Sequence, residues 1–165
     1  MTRVLSPDLY LRSVLDIDLD ALRAQGVDTL LVDLDNTILP RDSNVVPDDV
    51  KEWAASLTRR GFKVCLVSNN WHDRVKAVAE ELGFSLVAKA VKPLPFAFFR
   101  ALKVTGSSRK QAAIVGDQMF TDVLGGRLSG IMTVLVTPLS ESDLPHTLLL
   151  RRLERVILAG RQPQT

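Results

Sequence analysis

Two short runs of the sequence are apolar at nearly every position and do not alternate with polar residues. They are Thr-Leu-Leu-Val at 29–32 and Val-Cys-Leu-Val at 64–67. Strands of this kind are buried on both faces, as happens in parallel sheets that are covered on both sides by helices. The candidate strands alternate with stretches of helical spacing, and the full set is 29–33, 63–67, 86–89, 112–115 and 131–136. The pattern predicts an α/β fold with a three-layer, doubly wound parallel sheet.

Apolar residues at helical spacing predict three amphipathic helices between these strands. Their apolar faces begin at Val50, Trp71 and Leu94. Pro47 and Pro93 are expected in the first turns of the first and third helices, because a missing N–H group costs nothing there. Five glycines follow helical stretches and are expected as left-handed caps: Gly26, Gly61, Gly83, Gly106 and Gly130.

Size and composition indicate one globular domain. The chain has 165 residues, of which 46% are hydrophobic and 24% charged. No repeat or linker interrupts residues 1–165, and the core of the fold is expected at about 27–138. A net charge of +2 is too small to argue for nucleic acid, and no such partner is expected. The only cysteine, Cys65, lies in an apolar run and is interpreted as a core residue in a reducing compartment.

Residues near both ends of the sequence give expectations about where in the cell the protein lies. Pro7 and Asp8 stand where an export signal would have its apolar stretch, and no apolar run is long enough to cross a membrane, so we expect a cytoplasmic protein. Residues 144–159 predict an amphipathic helix that docks on the sheet or, alternatively, lies on an anionic membrane as a peripheral contact. Its predicted apolar face consists of Leu149, Leu150, Leu153, Val156 and Ile157, and Arg151, Arg152 and Arg155 lie elsewhere.

Two carboxylates, Asp33 and Asp35, follow the first long strand. In open α/β sheets, ligands bind at the carboxyl ends of the strands. Acids this close repel each other unless a cation lies between them or one is protonated. A hard metal such as Mg²⁺ would resolve the repulsion and leave one carboxylate free to attack an electrophile. The alternative is an Asx-turn that closes the strand and has no chemical role.

Three more groups of polar residues follow later strands. Ser68-Asn69-Asn70 offers a hydroxyl and backbone N–H groups for a phosphate oxygen at the start of the next helix, or else an N-cap. Lys92 brings positive charge to the same edge of the sheet. Asp117, after a glycine that lets the backbone turn, is placed to complete an oxygen cage with the first two acids, while Asp122 is a candidate for the cage or for the cap of the next helix.

The four groups occur in one order, and in this the sequence resembles the haloacid dehalogenase-like (HAD) superfamily over about residues 29–136. The matching motifs are Asp33-Leu34-Asp35-Asn36-Thr37, Ser68, Lys92 and Gly116-Asp117 through Asp122. Further features resemble the YqeG family of capless, subclass IIIA HAD phosphatases: Ser68-Asn69-Asn70, the run 116–123 followed by Gly125-Gly126, and the segment from Pro7 to Leu22. That family is similar to mitochondrial phosphatidylglycerophosphate phosphatases. The resemblance implies a Rossmannoid, HAD-like core.

The resemblance also implies hydrolysis of a phosphomonoester and a role for each motif residue. Asp33 would be the nucleophile that forms a phosphoaspartate. Asp35 would be the general acid that protonates the leaving oxygen and later activates water. Ser68 and Lys92 would bind the remaining phosphate oxygens, and Thr37 would orient the loop and Asp35.

A Mg²⁺ ion is part of the same implication. The resemblance places it between Asp33, the backbone carbonyl of Asp35 and Asp117, with Asp122 on a metal-bound water. Asn69 would add a backbone donor for the substrate.

The gaps between motifs leave no room for a cap domain. Only 32 residues separate Asp35 from Ser68, and 23 separate Ser68 from Lys92, and a helix and a strand use most of each gap. A site without a lid is open to bulky substrates. The kinship suggests phosphatidylglycerophosphate as the leading substrate, and the alternatives are a phosphoprotein, a nucleotide or a sugar phosphate.

Two hypotheses without turnover use the same residues. In a switch module similar to response-regulator receivers, phosphorylated Asp33 would be recognised by a protein partner. Receivers carry that aspartate after the third strand, however, so the order of the motifs disfavours this hypothesis. The other is an HAD-like scaffold that has lost activity, and the intact motif acids count against it.

Overall fold

The computed structural model of the chain describes residues 5–140, 150, 153–154 and 156–164. Six strands within them form one sheet in which all paired strands run parallel. The strands are β1 (Leu9–Leu11), β2 (Thr29–Val32), β3 (Lys63–Val67), β4 (Ser85–Val87), β5 (Ala112–Gly116) and β6 (Met132–Val136). Their spatial order is β1-β6-β5-β2-β3-β4. The five predicted strands are confirmed, whereas β1 carries too few residues for a recognisable pattern.

Helices connect the strands and cover both faces of the sheet. They are α1 (Leu19–Ala24), α2 (Asp48–Arg59), α3 (Asp73–Leu82), α4 (Pro95–Thr105) and α5 (Leu124–Ser129). A π-helical turn, Met119–Val123, leads into α5. All five glycines that were predicted as caps have positive φ, which confirms them.

Successive residues of β2 point into two separate apolar cores. Leu30 and Val32 contribute to the core under α1, α2 and α3. Leu31 contributes to the core under α4, together with Phe98 and Cys65. Burial raises the pKa of the Cys65 thiol to about 12, so this cysteine is an inert core residue, as predicted. The two cores confirm the three-layer, doubly wound arrangement.

The strand order reverses beside β2. The chain runs outward from β2 to β3 and β4 and then returns to β5, which pairs with the other edge of β2. Ligands of open α/β sheets bind in the crevice at such a switch point. Asp33 directly follows β2 and Asp117 directly follows β5, so the topology brings them to the same crevice. The connections from β2 to β3 and from β3 to β4 each hold one helix and a loop, which confirms that no cap domain is inserted there.

Two helices begin later than their apolar patterns predict. The α3 helix begins at Asp73 because His72 is extended (ψ 157°), and Trp71 lies outside it with 60% of its surface exposed. The α4 helix begins at Pro95, so Pro93 precedes the helix and is not in its first turn. Leu94 is extended (ψ 132°), as a residue before proline prefers, and this sets the boundary. Pro47 is the N-cap of α2, one position before its expected place in the first turn.

The C-terminal segment contacts the rest of the protein through other residues than the predicted apolar face. Residues 144–149, 151, 152 and 155 of the predicted helix lie outside the described residues. Of the predicted apolar face, Leu153 and Val156 are 51% and 74% exposed, so for them the expectation of core contact is wrong. The segment contacts the body through Glu154, whose Oε1 accepts from the N–H of Met119 (2.7 Å), and through Leu158. None of the described helices is long and apolar enough to span a membrane.

Two adjacent phenylalanines of α4 test this arrangement. Phe98 is fully buried between α4 and the sheet, whereas Phe99 is 44% exposed. We expect Phe98→Ala to lower the free energy of unfolding by about 3–5 kcal/mol, since it leaves a cavity. Phe99→Ala, the matched control, should cost less than about 1 kcal/mol. Urea denaturation of both variants measures the difference, and equal losses would contradict the placement of α4.

Candidate active site

The loop after β2 forms the first part of the site. The N–H of Asp33 donates to the carbonyl of Val115 in β5 (2.9 Å), and the chain then turns over the carbonyl of Leu34, which accepts from the N–H groups of residues 37–39. Asn36 makes this turn with φ +61°, a left-handed conformation that asparagine tolerates better than most residues. Because of the turn, Asp33 and Asp35 enter different surroundings although only one residue separates them.

Asp33 lies in a buried cluster with Lys92. The Nζ of Lys92 donates to Oδ1 of Asp33 (2.6 Å) and to Oδ1 of Asp122 (2.7 Å). One oxygen each from Asp33, Asp117 and Asp122 lies within 4.8 Å of the others. All four residues are buried. The structure thus brings together four of the predicted site residues from the loops after β2, β4 and β5.

Two hydrogen bonds and one glycine position the acids after β5. The Thr37 hydroxyl donates to Oδ1 of Asp117 (3.3 Å), so Thr37 links the first and last motifs. The N–H of Gln118 donates to Oδ2 of Asp122 (3.2 Å). At Gly116, a Cβ atom would stand 2.2 Å from Cγ of Asp122, so this glycine makes room for the carboxylate. Asp122 is not a helix cap: α5 follows Val123, which is itself helical, and the capping alternative is wrong.

The cluster contains three carboxylates and one ammonium group, an excess of two negative charges when all are ionised. Burial, with Asp122 and Asp117, raises the pKa of Asp33 to about 8 against the attraction of Lys92. Burial by itself would lower the pKa of Lys92, but Asp122 and Asp33 outweigh it and raise that pKa above its usual value. Lys92 therefore stays charged, and the cluster favours the uptake of a proton or a further cation.

The donor set fits a divalent metal ion. Its ligand atoms are carboxylate oxygens, which hard cations such as Mg²⁺ prefer. A dipositive ion would also cancel the excess charge of the cluster. The side chain of Asp35 is not part of this set.

Asp35 instead pairs with two residues that the sequence did not single out for this purpose. Nη1 of Arg74 donates to its Oδ1 (2.6 Å), and Nδ2 of Asn70 donates to its Oδ2. Arg74 also donates to the carbonyls of Ser43 (2.8 Å) and Pro40 (3.0 Å). It therefore ties the loop after β2 to α3. Its sequence signal was available, because a cation in the first turn of a helix opposes the helix dipole.

The loop after β3 holds the backbone of Lys92. Oδ1 of Asn69 accepts from the N–H of Lys92 (2.8 Å), and Nδ2 of Asn69 donates to its carbonyl (3.5 Å). Oγ of Ser68 accepts from the N–H of Asn70 (3.1 Å). Residues 68–70 do not cap α3, which begins at Asp73, so both the N-cap alternative and the expected helix start at this loop are wrong.

These loops enclose a cavity of about 140 Å³. It is lined by Asp33, Asp35, Arg41, Ser68, Asn69, Asn70, Lys92, Gln118, Thr121 and Leu150. Pockets that enclose whole small ligands measure about 300–1,000 Å³. This cavity therefore matches a small polar group, with the rest of a ligand outside. Arg41 was not predicted here, and it adds a positive charge to the wall.

Comparison with known proteins agrees with this geometry. The model of the family described as haloacid dehalogenase-like hydrolase matches residues 6–130. The chain belongs to this family. It is 37% identical to the probable phosphatase YqeG of Bacillus subtilis over 154 residues. The alignment covers 93% of this chain and 90% of that protein. This chain is thus an enzyme, a phosphatase of the haloacid dehalogenase-like type.

More distant relatives are also named as phosphatases. Phosphatidylglycerophosphate phosphatase 1 of Arabidopsis thaliana is 27% identical over 162 residues, and this chain spans 47% of its length. The mitochondrial phosphatidylglycerophosphatase GEP4 of Saccharomyces cerevisiae is 25% identical over 121 residues, or 64% of each chain. Among solved structures, the cobalt-bound deoxy-D-mannose-octulosonate 8-phosphate phosphatase (YrbI) of Haemophilus influenzae aligns with a TM-score of 0.57 at 16% identity, over 81% of this chain and 88% of that one. At this identity the structural likeness shows the fold alone.

The metal site can be tested without an activity measurement. Because Mg²⁺ would bind the folded cluster and not the unfolded chain, saturating Mg²⁺ should raise the Tm by about 5 °C. The folded-state pKa of Asp33 is raised from 3.8 to about 8, so the folded protein keeps a proton that the unfolded chain loses. Stability without metal therefore falls as the pH rises through that interval, and Mg²⁺ has to displace the proton. The Tm shift should grow as the pH rises towards about 8.

Differential scanning fluorimetry of two variants completes this test. Asp117→Asn removes one ligand and should abolish most of the Mg²⁺ shift. Asp42→Asn, at an exposed acid in the loop after β2, is the matched control and should keep it. An equal shift in both variants would contradict the site.

Proposed function

We propose that this chain hydrolyses a phosphomonoester with Mg²⁺ through a phosphoaspartate on Asp33, and that the substrate is the head group of phosphatidylglycerophosphate. The observation that carries the proposal is the buried cluster of Asp33 with Lys92, Asp117 and Asp122 beside a small polar cavity. A nucleophilic carboxylate in contact with a fixed ammonium group fits attack on a phosphate dianion.

In the first step, a carboxylate oxygen of Asp33 attacks phosphorus and the bond from phosphorus to the ester oxygen breaks. The leaving oxygen takes a proton from Asp35, which lines the same cavity. Lys92, held in place through Asn69, donates to a phosphate oxygen, and the Ser68 hydroxyl binds another. Thr37 orients the loop through its bond to Asp117.

In the second step, water attacks the phosphoaspartate and Asp35 accepts the proton of that water. The bond between phosphorus and the Asp33 oxygen breaks, which releases phosphate and restores both carboxyl groups. One slow displacement is thereby divided into two faster ones. Asp35 serves in both steps because Arg74 and Asn70 hold its carboxyl group at the cavity wall.

Asp33 and Asp117, with the backbone carbonyl of Asp35, would hold the Mg²⁺, and Asp122 would act through a bound water. When bound, the ion supplies electrostatic compensation for the phosphate charge. Lys92 remains necessary, because its single positive charge offsets part of the negative charge of Asp122 and Asp33 inside the protein.

The lipid substrate is supported by shape and kinship. The cavity has room for a phosphate group but not for a whole small ligand, and no cap domain covers it. Such a site can act on a phosphate at the end of a head group that stays in a membrane. Relatives named phosphatidylglycerophosphate phosphatases match most of this chain. On this proposal the single domain works in the cytoplasm, peripherally at the membrane.

Phosphate release tests both parts of the proposal. We expect Mg²⁺-dependent release from p-nitrophenyl phosphate and, at a higher kcat/KM, from phosphatidylglycerophosphate in vesicles. Asp33→Asn should lower both by at least about a thousandfold, because it removes the nucleophile. Asp42→Asn should leave both unchanged.

The possible outcomes separate mechanism from substrate. Release that survives Asp33→Asn would overturn the phosphoaspartate. Faster turnover of soluble sugar phosphates, nucleotides or phosphopeptides than of the vesicle substrate would overturn the lipid assignment and leave the mechanism standing.

Arg74 provides a test of the role of Asp35. Without Arg74 the Asp35 carboxyl group loses one of its anchors, so protonation of the leaving oxygen should suffer. Arg74→Gln should lower kcat/KM, which reports only the steps up to formation of the phosphoaspartate, at least about tenfold for an alkyl phosphate such as glycerol phosphate, a fraction of what a general acid contributes. For p-nitrophenyl phosphate, whose leaving group needs no proton, the loss should be much smaller.

Two control variants accompany this measurement. Arg74→Lys keeps the charge but not the several bonds of the guanidinium group, and it should restore activity only in part. Lys76→Gln, an exposed cation on the same helix, should have no effect. Equal losses for both leaving groups in Arg74→Gln would indicate a structural role only.

A further inference from the structure

A surface beside the cavity is both aromatic and basic. Its apolar members are Trp71, Val91, Leu94, Phe96 and Phe99, which are 44–60% exposed. Exposed cations, Lys89, Arg100 and Lys103, lie among them in the chain. We call these eight residues the aromatic face. Single exposed apolar residues are ordinary, but several of them in neighbouring loops and on one side of a helix are typical of an interaction site.

The charge of this region is one-sided. No acid occurs between Glu81 and Asp117, although the chain has 19 Asp and Glu residues. The same interval holds six of the 21 Lys and Arg residues: Lys89, Lys92, Arg100, Lys103, Arg109 and Lys110. The acid nearest in sequence on the Trp71 side is Asp73, in the first turn of α3. The aromatic face therefore suits an anionic partner.

Contacts within the structure tie together the two loops that carry part of this face, and the rest of it lies on one side of α4. Nζ of Lys89 lies 5.3 Å from the ring centre of Trp71, which links the loops after β3 and β4. Asn69 bonds both backbone groups of Lys92 and ties the same two loops together. Phe96, Phe99, Arg100 and Lys103 occupy one side of α4, at positions i, i+3, i+4 and i+7, while Ala97, Phe98, Ala101 and Leu102 are buried on the opposite side.

The aromatic face begins beside Lys92, which lines the cavity. Val91 and Leu94 flank Lys92, whose Nζ contacts Asp33. Val91 has φ +55°, an unfavourable conformation for a β-branched residue, and its side chain is 54% exposed. A ligand bound at this part of the face would thus lie near the loop that carries Lys92 into the cavity.

We infer that the aromatic face docks on the surface of an anionic lipid bilayer and holds the cavity against the head groups. This inference rests on the proposed function, which it extends by naming the surface that meets the membrane. Aromatic side chains inserted at the head-group level and flanked by Lys and Arg are typical of helices that lie in a membrane interface. A second copy of this chain is disfavoured as the occupant, because a two-fold contact would bring two acid-free, basic faces together.

Vesicle binding tests the inference without substrate. Cosedimentation with phosphatidylcholine vesicles, with and without phosphatidylglycerol, should show binding that needs the anionic lipid and weakens with salt. The double variant Phe96→Ser, Phe99→Ser should bind at least about tenfold more weakly. Lys103→Glu should weaken binding at least about fivefold. Both variants should hydrolyse p-nitrophenyl phosphate as the wild type does.

Matched controls change the same chemistry on the other side of the sheet. Leu15→Ser removes an exposed apolar residue next to α2, and Lys76→Glu reverses an exposed charge on α3. Neither should alter binding. Trp71 is a built-in reporter, since Trp53 is buried: anionic vesicles should shift the emission of the wild type to the blue, and Trp71→Phe should remove most of that shift.

Each result has a defined meaning. Absence of binding to anionic vesicles, or binding unchanged in the Phe96 and Phe99 variant, overturns the inference. So does loss of binding only in Leu153→Ser, Val156→Ser, which would assign the contact to the C-terminal segment. Vesicle binding without any phosphatase activity would support the docking face and overturn the proposed function, whereas activity without binding would do the reverse.

Discussion

The ammonium group of Lys92, buried between the carboxylates of Asp33 and Asp122, is the interaction on which the site depends. A buried charge without a partner destabilises the folded state by roughly several kcal/mol. Neither the lysine nor the acids could therefore lie alone at this edge of the sheet. Asn69 fixes the backbone of Lys92, and Gly116 leaves space for Asp122. One ammonium group does not balance three carboxylates, and this imbalance is what makes the cluster a place for a divalent cation.

The turn at Asn36 gives two neighbouring carboxylates different surroundings. Asp33 enters the buried cluster, where burial and like charges raise its pKa. Asp35 lies at the cavity wall, where Arg74 and Asn70 hold both of its oxygens. The proposed mechanism needs such unlike surroundings, because in it one carboxylate attacks phosphorus while the other transfers a proton. The left-handed conformation of a single asparagine therefore has a chemical consequence.

The small, uncovered cavity and the aromatic face can be explained together by how a substrate would be selected. A cavity of about 140 Å³ has room for a phosphate group and little else. Under the proposal, selection among phosphomonoesters would come from contacts outside the cavity, and the aromatic face in the loop beside Lys92 is apolar, basic and free of acids in its own segment. On the proposed function, such an enzyme would choose its substrate by the surface on which that substrate is presented.

The sequence by itself determined the parallel sheet, the absence of a cap and the order of the motifs, since apolar runs, glycines and gap lengths are local properties. It also indicated Asp33, Ser68, Lys92, Asp117 and Asp122 as residues at one edge of the sheet, because the carboxyl ends of parallel strands meet there. Only the tertiary structure decided that Arg74 and Asn70 hold Asp35, that Thr37 contacts Asp117, and that Trp71, Leu153 and Val156 face solvent. Periodicity shows which residues are apolar, but what covers them, and which distant side chain meets a given carboxylate, depends on how separate elements pack together.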